Sequence, residues 1–112
     1  MGKHKNWSEK EFRAYLFLYA ADSNFEYNAE EKSFIESKFD SKTLETVKFE
    51  TDDLNDFQRS KIITDYIKLK NIKQKKLDQM LGEIKEVYLV DGRFDQYEQS
   101  IFKMLKKKMK AK

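Results

Sequence analysis

Apolar residues recur at helical spacing along most of the chain. Ser8, with Glu11 three residues on, has the spacing of a capping box, and Trp7 just before it is placed to staple the first turn. Phe12, Leu16, Tyr19 and Ala20 then repeat at helical intervals, which predicts a first helix over 9–21. Residues 15–21 are apolar over much of the girth, so this helix belongs in the middle of the core. Asn28 with Glu31 opens a second helix carrying Phe34, Ile35, Lys38 and Phe39 and ending near Asp40. A third begins after Asp40 or Ser41, with Leu44, Val47 and Lys48 on one side and Phe49 adjacent. Thr51, Asp52 and Asp53 interrupt it, and Asp52 or Asp53 is placed to cap the next. Leu54, Phe57, Ile62 or Ile63, Tyr66, Ile67 and Leu69 predict a fourth helix over 54–70, ended by Asn71. The cleanest stripe is Leu77, Met80, Leu81, Ile84, Val87 and Tyr88. Gly82 lies inside it at a cost of about 1 kcal/mol relative to Ala, which points to close helix packing there. Tyr97, Ile101, Met104, Leu105 and Met109 make a sixth helix. The β-favouring run Val87-Tyr88-Leu89-Val90 continues a helical stripe, so it adds no strand. The expectation is an all-α fold: one compact bundle of about six helices spanning 1–112, with 1–6 and 107–112 as tails.

Two interhelical turns resemble each other. The second reads Val90-Asp91-Gly92-Arg93-Phe94-Asp95-Gln96-Tyr97-Glu98, and the first Ala21-Asp22-Ser23-Asn24-Phe25-Glu26-Tyr27-Asn28-Ala29-Glu30-Glu31. Each follows an apolar run, starts at Asp, places Phe three residues on, and then reaches an acid. Oxygen donors on two matching turns are what a hard divalent cation requires. Asp22, Asn24, Glu26, Glu30, Asp91, Asp95 and Glu98 are the candidate ligands, with Glu31 beside them, and calcium, magnesium or a similar ion is the candidate cofactor. Neither turn is an EF-hand loop: the positions that need Gly and a bidentate Glu hold Tyr27 and Ser33 in the first, and Gln96 and Phe102 in the second. Helix capping accounts for the same residues, since Asp and Asn satisfy free backbone N–H groups and Gly92 turns the chain at little cost.

The paired turns, each an apolar helix end followed by Asp-Gly-like residues, an aromatic residue and acids opening the next helix, resemble the tellurite-resistance TerB-like family. The specific part is these two stretches. Ser23 stands where the family has Gly, and Arg93 where an acid is common. The resemblance implies an all-helical domain with acidic turns for divalent metal, a link to stress or tellurite-resistance systems, and a place in the cytoplasm or at the inner face of the membrane.

Composition narrows the picture further. Charged residues are 38% of the chain and hydrophobic ones 39%, but the chain has Trp 1, Tyr 6 and Phe 9, too many aromatics for a disordered segment. No cysteine is present, which removes disulfides and thiolate metal sites. No apolar stretch is long enough to span a bilayer, and the basic residues 1–6 lack the apolar region of a secretory signal. Charge is dipolar: residues 1–56 hold 8 Lys+Arg against 13 Asp+Glu, and residues 57–112 hold 15 against 7. Enzymatic signals are missing. The single His4 lies near the start, and no nucleophile motif or phosphate loop occurs. These features predict a non-enzymatic binding or regulatory domain with a protein partner. The alternative is an adaptor for a protein or an anionic surface. It would use the lysine-rich second half, namely Lys68, Lys70, Lys73, Lys75 and Lys76 and the basic amphipathic last helix. Few aromatic or Arg residues lie there, so specific nucleic-acid readout is not expected.

Overall fold

A computed structural model of the chain describes residues 6–22, 29–89 and 96–110; the side chains of Asp22 and Tyr97 fall outside that description. Ser8 starts the first helix, α1 (Glu9–Asp22), as its spacing predicts. The Ser8 backbone N–H donates to Glu11 Oε1 at 2.9 Å, and the Glu11 N–H donates to Ser8 Oγ at 3.2 Å. Phe12, Ala14, Tyr15, Leu16, Phe17, Leu18, Ala20 and Ala21 are all buried. Five consecutive buried residues leave a helix no solvent face, so α1 must be surrounded. It packs on α2 (Ala29–Lys38), α3 (Ser41–Thr51), α4 (Asp56–Lys70) and α5 (Gln74–Leu89); α6 (Gln96–Lys108) packs on α5, as α2 also does. Among the described residues the fold is these six helices and no strand. One continuous hydrophobic cluster runs through them, and each large apolar side chain buried in it contributes on the order of 1.5–3 kcal/mol.

Aromatic residues fix how the helices sit around α1. Phe12 stacks on Tyr66 of α4 at 4.2 Å, and Phe17 meets Phe39 edge-on at 5.1 Å. Each buried polar tip finds an acceptor. Tyr66 OH donates to the Trp7 carbonyl at 2.9 Å, Tyr15 OH to the Arg59 carbonyl at 2.6 Å, and Trp7 Nε1 to Glu50 Oε1 at 2.6 Å. Trp7, Tyr15 and Tyr88 are thus core residues.

The stripe on α5 is buried at all six predicted positions. Five expectations are revised. The cap of α4 is Asn55, not Asp52 or Asp53: the Gln58 N–H donates to Asn55 Oδ1 at 2.8 Å, and Gln58 returns Oε1 to the Asn55 N–H at 3.0 Å. Gln58 lies three residues after Asn55, whereas the residues three after Asp52 and Asp53 are Asn55 and Asp56, so only Asn55 has a Gln or Glu partner. Phe57 is 74% exposed, because nine residues, two and a half helical turns, put it on the side of α4 opposite buried Tyr66. Leu69, in the last turn, is also exposed, as are Lys48 and Phe49 on α3, where Leu44, Val47 and Thr51 form the buried side. Gly82 faces open space: nothing lies within 4 Å of where its Cβ would stand. Asn71 ends α4 as predicted, in the left-handed region at φ 51°. The last helix runs through Lys108, and Met109 beyond it is fully buried.

Candidate functional site

The helices that lead into the two acidic turns end side by side. Tyr88, next to last in α5, donates its hydroxyl to the carbonyl of Ala20, near the end of α1, at 2.9 Å. Both residues are fully buried, so this clasp lies inside the core. The helix after the first turn is tied to the same neighbour, since Lys38 of α2 approaches Glu86 of α5 at 3.7 Å. One end of the bundle therefore gathers the exits of α1 and α5, and the α1–α2 and α5–α6 pairs are each in contact.

Each helix that follows a turn carries a buried glutamate at its third residue: Glu31 in α2 and Glu98 in α6, 0% and 2% exposed. A carboxylate out of water costs several kcal/mol unless polar groups compensate it. Both side chains make polar interactions, and both stand in a first helical turn, where free N–H groups and the helix dipole favour negative charge. Of the other candidate ligands, Glu30 is exposed. Asn24, Glu26, Asp91, Asp95 and the Asp22 side chain lie outside the described residues, as does Gly92. Among the described residues no group of three or more His, Cys, Asp or Glu is arranged to hold a metal ion.

Glu31, rather than Glu30, is thus the positional match to Glu98. A signal for this was present. Asn28 to Glu31 and Asp95 to Glu98 have the same three-residue spacing, that of a cap and its returning carboxylate. The burial of both glutamates was not legible, because such a carboxylate usually sits at a helix start near solvent.

The titration shifts elsewhere are structural. Burial raises the Tyr15 phenol well above its ordinary value, with the Tyr19 phenol adding to the rise and the Arg59 guanidinium opposing it. Burial likewise raises Tyr66. A hydrogen bond from Thr43, reinforced by Lys10 at 3.3 Å, lowers exposed Asp40. None of these groups belongs to the glutamate pair. Among the described residues no helix is long and apolar enough to cross a membrane. No protein-family model, no curated protein and no solved structure matches this chain.

Proposed function

We propose that this chain is a non-enzymatic, TerB-like binding and regulatory domain whose two acidic turns take up a divalent cation. The observation that carries the reading is the buried pair Glu31 and Glu98, one in the same position of each helix that follows a turn. The donor chemistry fits. Carboxylates and amide oxygens are the ligands of calcium and magnesium, and no thiol or described imidazole competes for a softer metal. Asp22, Asn24, Glu26, Asp91 and Asp95 would supply further oxygens, with Glu31 and Glu98 as the buried members of the set. A bound cation would offset the mutual repulsion of these acids, and would join the α1–α2 pair to the α5–α6 pair. Ion occupancy would then govern what this end of the bundle presents to a protein partner. A cytoplasmic role in stress or tellurite response is the setting this reading suggests.

Metal-free protein titrated with calcium, magnesium, manganese and zinc under amide NMR tests it. Saturable shifts centred on residues 22–31 and 91–98 are expected, with Glu31→Gln and Glu98→Gln each lowering affinity at least about tenfold while the circular dichroism spectrum stays helical. Unmoved amides at millimolar concentrations of all four ions would reduce the turns to helix caps.

A further inference from the structure

A second feature lies elsewhere on the molecule and stands independently of the cation reading. The ends of α4 and α6 flank a cleft of about 880 Å³. Its floor is apolar: Ile67 is buried, and Ile72 and Met104 are half-buried. Its rim is cationic, formed by Lys68, Lys107, Lys108 and Lys110, and Asp65 is the only carboxylate in the described lining. Lys10, Lys38 and Lys76 find carboxylates elsewhere, but among the described residues none of the four rim ammonium groups is in an ion pair.

An adjoining cleft shares Ile72 and is also lysine-lined, by Lys70, Lys73, Lys75 and Lys76. There the charge is partly committed: Lys76 pairs with Glu9 at 3.2 Å, and the Lys70 ammonium sits over an aromatic face, 5.8 Å from the Tyr66 ring centre. Lys73 and Lys75 of that cleft are in no ion pair among the described residues, but only in the α4–α6 cleft are all four described lining lysines uncommitted.

We propose that this cleft docks an acidic amphipathic helix of a partner protein. Charge complementarity selects an anionic partner, since like charge facing the rim would be repelled. The recessed floor selects a helix over a lipid surface. A bilayer presents its phosphates outermost and cannot send apolar groups past the lysine rim, whereas a helix projects leucine-sized side chains beyond its own backbone with carboxylates on the flanks. The α4 wall runs from Thr64 to Asn71, about 10 Å along the axis at 1.5 Å per residue. That length matches roughly two helical turns, so the partner should bring anchors at i, i+4 and i+7.

The test uses the full chain and helical peptides of about 12 residues, with Leu, Ile, Met or Phe at the three anchors and Glu on the flanks. A matched set carries Gln or Lys in place of Glu, and vesicles of phosphatidylserine with phosphatidylcholine supply the lipid arm. Expected are saturable amide shifts at 64–72 and 104–110 with at least one Glu peptide, weakening as salt rises. The Lys set should not bind, and Lys68→Glu with Lys107→Glu and Lys108→Glu should lower affinity at least about tenfold in a protein that melts as the parent does. Met104→Gln should weaken binding through the floor without altering net charge. Equal binding of the Glu and Lys sets would overturn the proposal. So would affinity unchanged in the charge-reversed protein, or vesicle binding at this face with no response to any peptide.

Discussion

Tyr88→Phe tests the clasp between the ends of α5 and α1. The ring stays, so no cavity opens, and what disappears is the hydroxyl that donates to the Ala20 carbonyl at 2.9 Å. Both residues are 0% exposed, so water cannot take the hydroxyl's place without the helix ends parting. A typical hydrogen bond contributes about 1 kcal/mol net, and stranding a buried acceptor raises the loss into the range of about 1–3 kcal/mol. A loss of about 1.5 kcal/mol is the working value. Unfolding entropy near 2.1 cal/mol/K per residue gives this chain about 0.24 kcal/mol/K, so Tm should fall by about 6 °C. Differential scanning calorimetry at neutral pH, with urea unfolding beside it, measures the change. Tyr66→Phe, which loses the bond to the Trp7 carbonyl, is the companion: it should cost a similar amount of stability yet leave cation affinity alone. A Tm within about 1 °C of the parent for Tyr88→Phe would mean that the hydroxyl does not clasp α5 to α1.

Three further outcomes follow from positions away from that clasp. Gly82→Ala should stabilise the protein by up to about 1 kcal/mol, since the methyl meets open space in an interior helical turn; a fall in Tm would mean that something does pack on Gly82 after all. Asn55→Ala should cost about 1 kcal/mol in urea unfolding by removing the cap of α4, and Asp53→Ala far less. The Tyr15 phenol should ionise well above its ordinary value of 10.0 in an ultraviolet difference titration. Because its folded pKa is raised, the stabilisation it gives is complete below that ordinary value and is lost as pH climbs toward the folded one, and Tyr15→Phe should remove this component of the alkaline decline.

Much of the fold could be read from the residues because burial here follows simple periodicity. The α5 stripe alternates Leu77, Met80, Leu81, Ile84, Val87 and Tyr88 with charged neighbours, and only one helical face can take them inward. The uninterrupted apolar run of α1 places it centrally for the same reason. Phe57 misleads because an aromatic at near-helical spacing reads as core, although its phase against Tyr66 puts it outside. Gly82 misleads because a missing side chain has the same appearance in sequence whether a neighbour fills the space or solvent does. The candidate site was legible as two acidic turns. Its buried members were harder to single out, because Glu30 and Glu31 are adjacent in sequence and only the helix's rotation decides that Glu31 goes inward.

The central position of α1 has a consequence for synthesis on the ribosome. Tyr88 reaches back 68 residues to Ala20, and Glu83 reaches back 70 to Arg13. At 5–20 residues per second, α1 leaves the ribosome about 3–14 s before those partners exist. For that interval a helix whose middle is buried all round carries Phe12, Leu16 and Phe17 without α5, one of the helices that surround it in the finished fold. Only α2, α3 and α4, which also pack on α1, are available to cover it in that interval, and a slow codon stretch before α5 would lengthen its exposure to aggregation.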